Sequence, residues 1–432
     1  MCILCGAQGW PWRFAAVAAM ISVLVMQADL GVAASVAGPP MKTGVSVGNI
    51  LTWGRTNPER TEYLWPIYEG REFSLPIELL RKVKAYDFDF VRLTVDPGPF
   101  LSFTGSRREA LDAKLVETIK GIQGTGLDVL VDFHPIRMMK NYAPDQLESE
   151  SQDGVFTAYV DMVRRTAHLL SGLDLKHVAI EPMNEPQLGY DLVSQLHWQS
   201  MVERLYDAVR EESADLTIVV TGGRGGNIDG LVNLNPQHFR VGDVRYSFHY
   251  YVPYVFTMQG ANDKSTKKQI GPYVTNLPYP AKSSDLDVFW PTVQMRLQNA
   301  QDLTAEDREW ILKEAHKELA AYFGGYATRG GMSSQFDRVS EWARINGIRS
   351  DQIFLGEFDA SQQGPSNAGG LQSSRLRWLA DVRGEAERRG FHWCFWGLSG
   401  EGGDGMVLVS VADQTRIDVR TAAALGKSLY IK

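Results

Sequence analysis

Two short strings set carboxylates where they could do chemistry: Glu181-Pro182-Met183-Asn184-Glu185-Pro186 and Leu355-Gly356-Glu357-Phe358. Each closes an apolar, strand-like run, HVAI before the first and QIFL before the second. Pro186 stops a strand, and the residue before a proline is turned out of regular structure, so Glu185 is expected to project from a strand end. Gly356 before Glu357 lets a backbone or a ligand come close. Two carboxylates held on opposite sides of one sugar ring are the working parts of glycosidic cleavage. A lone glutamate after a strand is usually a helix cap or a solvated loop charge, so the weight falls on what the other strand ends carry.

Eight strand-like runs alternate with helical stretches: 44–50, 88–95, 127–133, 177–183, 216–222, 244–250, 352–358 and 392–398. Helical spacing of apolar residues recurs between them, as in Ile77-Leu80-Val83-Lys84 and Leu196-Met201-Leu205-Ala208. This pattern predicts an α/β fold, a (β/α)8 TIM barrel, in which functional groups gather at the C-terminal strand ends. Strand 2 carries Arg92, strand 3 ends at His134 and strand 4 at Asn184-Glu185. Strand 6 ends at His249-Tyr250-Tyr251, strand 7 at Glu357, and strand 8 carries Trp396. Taken singly, Arg92 fits a structural ion pair, the histidines fit capped loops and Trp396 fits plain core. Their common position on one barrel face is what points to a site.

The N-E-P string and the late G-E-F string resemble glycoside hydrolase family 5, the cellulase family, and the resemblance extends from about residue 44 to 430. It implies a retaining mechanism with Glu185 as acid/base and Glu357 as nucleophile. Arg92 and Tyr251 would hold Glu357 ionised and aimed, and His249 would help set the protonation of Glu185. Asn184 would bond the sugar 2-hydroxyl, His134 a second hydroxyl of that sugar, and Trp396 would form its stacking floor. The expected partner is a polysaccharide or oligosaccharide, most simply a β-1,4-glucan cut by an endoglucanase. Mannan, β-1,3-glucan or a bacterial exopolysaccharide are alternative substrates, and a non-catalytic carbohydrate-binding barrel is an alternative function. The first-strand motif of the family commonly has Asn where this chain has Ser46.

Other chemistry-bearing residues read differently. Glu181 falls inside strand 4 rather than at its end, which suits a buried network in the barrel interior. Glu401 and Asp404 lie in the Gly-rich run after Trp396, where they could touch a distal sugar or be solvated loop charges. His, Asp and Glu show no metal-ligand spacing such as H-E-x-x-H, and TGGRGGN (221–227) lacks the Lys-Ser/Thr of a phosphate loop. No metal and no cofactor is expected, because side chains supply acid, base and nucleophile.

The stretch between strands 6 and 7 is far longer than a loop and one helix need. It predicts an insertion over about 252–330, with helices over 304–323 and 334–346. Its earlier part, about 252–303, reads as a cleft wall or lid bearing Tyr254, Phe256, Tyr273, Tyr279 and Trp290, or as a loop packing on itself. Trp53, Tyr63, Trp65 and Tyr68 after strand 1 invite the same reading.

With 432 residues, 44% hydrophobic, the chain can bury a large core, and a net charge of −7 offers no basic surface to nucleic acid or an anionic membrane. Arg13, the apolar run 14–26 and the small residues Ser35-Val36-Ala37 form the three regions of an export signal, so 1–37 is expected to be removed and 38–432 to be one catalytic domain. About 13 apolar residues are few for a bilayer span, though an anchor over 14–28 is the competing reading. Secreted or periplasmic location, a monomeric state and no stable membrane association after cleavage follow as expectations. Cys2 and Cys5 fall in the leader, which leaves Cys394, in the apolar run HWCFW, as a buried inert thiol. N-terminal sequencing of the exported protein should begin near Gly38; a start at Met1 would overturn the export signal.

Overall fold

The computed structural model describes residues 38–149, 153–263, 266–326, 328–362, 370–399, 405–410 and 412–429. The expected leader, with Cys2 and Cys5, and the loop residues Glu401 and Asp404 lie outside these. The described residues belong to one compact unit. Among them, no helix is long and apolar enough to cross a membrane.

Eight parallel strands close into a barrel in chain order, as the alternating pattern predicts. They are β1 (Thr43–Leu51), β2 (Phe90–Val95), β3 (Asp128–Phe133), β4 (Val178–Glu181), β5 (Thr217–Thr221), β6 (Val244–His249), β7 (Ile353–Glu357) and β8 (His392–Phe395). Pairing of Thr43 with Trp393 and Gly44 with Cys394 closes the ring between β1 and β8. Long helices cover the outside, among them Gly105–Gln123, Asp153–Ser171, Leu192–Glu212 and Gln372–Arg388.

Strand alternation sorts the interior into layers. Phe90, Leu130, Ala179, Val219, Phe354 and Cys394, one from each of six strands, pack with Met41 as an apolar plug. Two residues further along their strands come Arg92, Asp132, Glu181 and Thr221, all buried and all polar. A parallel barrel is dry at this depth, so these groups must satisfy one another. The apolar layer seals the lower end of the barrel, and the polar layer faces its mouth.

β4 ends at Glu181, earlier than the run 177–183 suggests. Glu185 therefore sits four residues beyond the ladder, on the 182–186 turn, rather than at the strand end. The insertion contains the two expected helices, as Ala305–Ala321 and Arg329–Ile345. It also contains Asp285–Asn299, a helix within the stretch read from sequence as a wall or loop. Pro291 lies inside it and erases the local helix signal, because proline removes a backbone donor. Phe256 and Tyr279 of this region belong to the core, Tyr273 and Trp290 are half-buried, and of the five only Tyr254 is exposed. In the loop after β1, Tyr63 is buried and Tyr68 half-buried, while Trp53 and Trp65 are exposed.

The pairing of β6 with β7 carries one irregularity: Phe248 faces Leu355, but the next residue, His249, faces Glu357. Gly356 is the extra residue of this bulge. A Cβ on Gly356 would lie 2.5 Å from Ser247 Oγ and 2.9 Å from His249 Nε2. The close neighbour that this glycine admits is thus the His249 ring. Gly356→Ala should cost about 1–3 kcal/mol of stability through overpacking, measured by denaturant unfolding. A variant as stable as the parent would show that the ring moves aside freely.

Candidate active site

The Arg92 side chain projects inward from β2 and is completely buried. Its Nε donates to Glu181 Oε2 at 2.7 Å, its Nη1 to Glu357 Oε1 at 2.6 Å and its Nη2 to Asn184 Oδ1 at 2.7 Å. Asp132 Oδ2 stands 3.1 Å from Nη2. Burial opposes the guanidinium charge, but the Asp132, Glu181 and Glu357 carboxylates outweigh it and raise the Arg92 pKa well above its ordinary value. Glu181 takes its second bond from the Thr221 hydroxyl at 2.7 Å. Burial raises its pKa, against the pull of Arg92. Glu181 is thus bound inside the barrel, as its position within the strand suggests.

Glu357 ends β7 with both oxygens occupied: Arg92 donates to Oε1, and the Tyr251 hydroxyl donates to Oε2 at 2.9 Å. Burial and the Glu357 charge keep the Tyr251 pKa well above its usual range, so the phenol remains a donor. Tyr250 N donates to the Glu357 backbone carbonyl at 2.9 Å, which carries the β6–β7 ladder past the bulge.

Glu185 is held differently. Its φ of 41° is a left-handed conformation that non-glycine residues adopt at a cost, and such strain persists where surrounding contacts enforce it. Those contacts come from TGGRGGN, where Gly225 N donates to Pro186 O at 2.7 Å and Arg224 N to Leu188 O at 2.6 Å. From the other side the Glu148 carboxylate accepts from Gln187 N at 2.8 Å. The Glu148 side chain is buried, and desolvation raises its pKa to about 8. The glycine-rich run therefore braces the Glu185 turn. Glu148 was not legible as part of the site, because an isolated glutamate in a polar loop carries no periodic signal.

His249 Nδ1 lies 2.8 Å from Glu185 Oε1 and 3.5 Å from Glu357 Oε2. Burial lowers its pKa, so the ring is neutral at neutral pH. Burial also raises the Glu185 pKa above the usual carboxylate range, with the His134 and Arg92 charges pulling against it. One ligand atom from each of Glu185, His249 and Glu357 lies within 4.8 Å of the others, a spacing that a metal ion could bridge. The Arg92 guanidinium, 2.6 Å from Glu357, opposes a second cation there.

Asn184 and His134 complete the floor. Arg92 holds Asn184 Oδ1, which points Nδ2 at His134 Nε2 across 3.3 Å. His134 Nδ1 meets Asp132 Oδ2 at 2.8 Å. Burial lowers the His134 pKa, but Asp132 more than compensates and brings it to about 9. The Asn184 amide opposes this, since an N–H aimed at Nε2 needs a lone pair there. Asp132 was also missed from sequence, although strand alternation puts it two residues before His134 and on the same side. The half-buried Trp396 stacks on His134, with ring centroids 5.3 Å apart and planes at 14°. Ser46, at the rim position where the family commonly has Asn, is buried against the buried Cys394 thiol at 3.5 Å.

The structure thus brings Arg92, His134, Asn184, Glu185, His249, Tyr251, Glu357 and Trp396 to one end of the barrel. The arrangement pairs a carboxyl of raised pKa with one pinned by a cation and a phenol, over a floor of one amide and two flat rings.

A family model described as cellulase, glycosyl hydrolase family 5, matches residues 70–402. A comparison with curated proteins gave no match. Among solved structures, a hyperthermophilic endo-β-1,4-glucanase in complex with substrate is 20% identical, with a TM-score of 0.61 over 90% of this chain and 97% of that one. The cellulose synthase subunit Z of Clostridioides difficile is also 20% identical, with a TM-score of 0.58 over 89% of this chain and 99% of that one. Thermotoga maritima Cel5A in complex with cellobiose is 17% identical, with a TM-score of 0.60 over 89% and 97%. At these identities the solved structures speak to the fold, whereas the family model spans most of the barrel and both glutamates: the chain belongs to glycosyl hydrolase family 5 and is a glycoside hydrolase.

Proposed function

We propose that this protein is an exported, retaining endo-β-1,4-glucanase, with Glu357 as nucleophile and Glu185 as acid/base. The observation that carries the mechanism is the close approach of the two carboxylates, within 4.8 Å. Retaining enzymes hold them roughly 5–5.5 Å apart, whereas inverting enzymes leave about 6.5–9.5 Å for a water. Glu357 attacks the anomeric carbon while Glu185 gives its proton to the departing oxygen. Glu185, now a carboxylate, takes a proton from water, and that water attacks the anomeric carbon and frees Glu357. The product keeps the β configuration.

The surrounding groups divide the labour. Arg92 and Tyr251 fix the attacking carboxylate by its two oxygens. Neutral His249 exchanges a hydrogen bond with Glu185 as that group changes charge. Asn184 reaches the sugar 2-hydroxyl, His134 reaches its neighbour, and Trp396 lies under the ring. Support for glucan comes from the endo-β-1,4-glucanase and cellobiose-bound structures that share the fold. A bacterial exopolysaccharide of the same linkage is the second reading, favoured by likeness to a cellulose synthase subunit.

Because burial raises the Glu185 pKa, the acid form survives to higher pH than an ordinary glutamate. The alkaline limb of kcat/KM should therefore titrate above the usual glutamate range; a limb at or below it would remove Glu185 as the acid.

Glu357→Ala should abolish turnover, and mechanism-based labelling should mark Glu357. Glu185→Ala should keep much more activity on an aryl cellobioside with a good leaving group, and added azide should yield the β-azide. An inverted product, or label on Glu181, would overturn the assignment. A full absence of turnover on aryl β-glycosides and on β-glucans would favour a carbohydrate-binding barrel.

A further inference from the structure

His249 meets both glutamates through one ring nitrogen, Nδ1. Its other nitrogen, Nε2, is buried, and among the described residues nothing hydrogen-bonds to it. The same holds for Ser247 Oγ, two residues earlier on β6, in a side chain that is completely buried. Strand alternation puts both side chains on the inner face of the barrel. They also share one space: the Cβ that Gly356 lacks would lie 2.5 Å from Ser247 Oγ and 2.9 Å from His249 Nε2. Two buried polar atoms left open side by side are rare in a folded protein, because each has given up water without a replacement.

The strands on either side do not claim the serine. In register Ser247 pairs with Thr221 of β5 and Phe354 of β7, and the Thr221 hydroxyl is given to Glu181 at 2.7 Å. The backbone of the histidine is fixed, with His249 N donating to Gly226 O at 2.7 Å. Its Nδ1 faces two carboxylate oxygens, Glu185 Oε1 at 2.8 Å and Glu357 Oε2 at 3.5 Å. Two acceptors there call for a proton on Nδ1. Burial, helped by Arg92 of β2, lowers the ring pKa against the pull of Glu357 of β7, Glu181 of β4 and Asp132 of β3, so the ring is neutral. A neutral ring protonated on Nδ1 keeps a lone pair on Nε2, and that lone pair needs a donor.

We propose that Ser247 is a positioning residue for the acid/base: its hydroxyl, directly or through one water, donates to His249 Nε2 and so keeps the ring proton on Nδ1, aimed at Glu185. The inference rests on the glycanase reading above and deepens it. When Glu185 gives its proton to the departing oxygen, the new carboxylate charge meets an N–H already in place. The ring gains and loses no proton in that step. Without the hydroxyl, the ring proton can move to Nε2 or the ring can turn over about χ2, and either change takes the donor away from Glu185.

The test compares cellotetraose, whose leaving sugar must be protonated, with 2,4-dinitrophenyl β-cellobioside, whose leaving group departs without a proton. In Ser247→Ala, kcat/KM for cellotetraose should fall about tenfold relative to that for the aryl substrate, the scale of one weakened hydrogen bond to a charge. The alkaline limb of kcat/KM for cellotetraose should move up by about one pH unit, because the Glu185 carboxylate loses a donor. Ser247→Thr keeps the hydroxyl and should restore both readouts. Equal losses on the two substrates with an unmoved limb would mark a purely structural serine and overturn the proposal. A parent-like ratio and limb in Ser247→Ala would overturn it too, as would a folded threonine variant that behaves like the alanine one; each leaves the glycanase reading intact. If Glu185→Ala slows the two substrates alike, the acid assignment itself fails, and this inference falls with it.

Discussion

Arg92 is buried where the barrel changes from an apolar plug to a polar mouth, and its guanidinium nitrogens hold Glu181, Glu357 and Asn184 with Asp132 alongside. Four acceptors, from β3, β4, the turn after β4 and β7, share one planar cation, and Arg92 itself comes from β2. Arginine suits this post because its donors diverge in a fixed fork and it keeps its charge when buried. Removing a partner from such a buried pair typically costs about 3–5 kcal/mol, because a charge is left unpaired. The same ion that neutralises the barrel interior therefore also fixes Glu357, the proposed nucleophile.

The two glutamates acquire different characters from this arrangement. Glu357 ends a strand, receives a donor on each oxygen and is fixed before substrate arrives. Glu185 sits half-buried on a strained turn, with His249 as its hydrogen-bond partner and no direct cation. The proposed division of labour, Glu185 as acid/base and Glu357 as nucleophile, rests on this difference of surroundings. His249 links them, and the bulge at Gly356 exists to seat its ring. Strain at Glu185 is held from both sides, by the backbone of TGGRGGN and by the buried Glu148 carboxylate.

The insertion between β6 and β7 has a use other than the one its aromatic content suggests. Phe256 of the segment packs on its Tyr279 and Tyr322, and Phe256 and Tyr322 stack nearly in parallel at 6.1 Å. Phe256 also meets Trp378 of the helix Gln372–Arg388 at 6.2 Å, so the segment packs into the same core as the barrel. Near its start, Tyr254 stays in solvent.

Much of this site was legible in the chain. Strand alternation, glycine and proline at turns, and the order of polar residues at strand ends are local signals, and they placed all eight strands and the eight expected site residues at one end of a barrel. They also separated Glu181 from Glu185, since an inward strand position differs from a turn before proline. What the tertiary structure alone decided are relations across the barrel. Register and closure determine that one guanidinium reaches three strands, that His249 falls between two glutamates 172 positions apart in sequence, and that Gly356 clears space for that ring. Burial is equally non-local: Tyr254 and Phe256 are two residues apart and both aromatic, yet one is exposed and the other lies in the core. Local pattern fixes which way a side chain leaves its strand, whereas distance and solvent exposure are set by everything that packs around it.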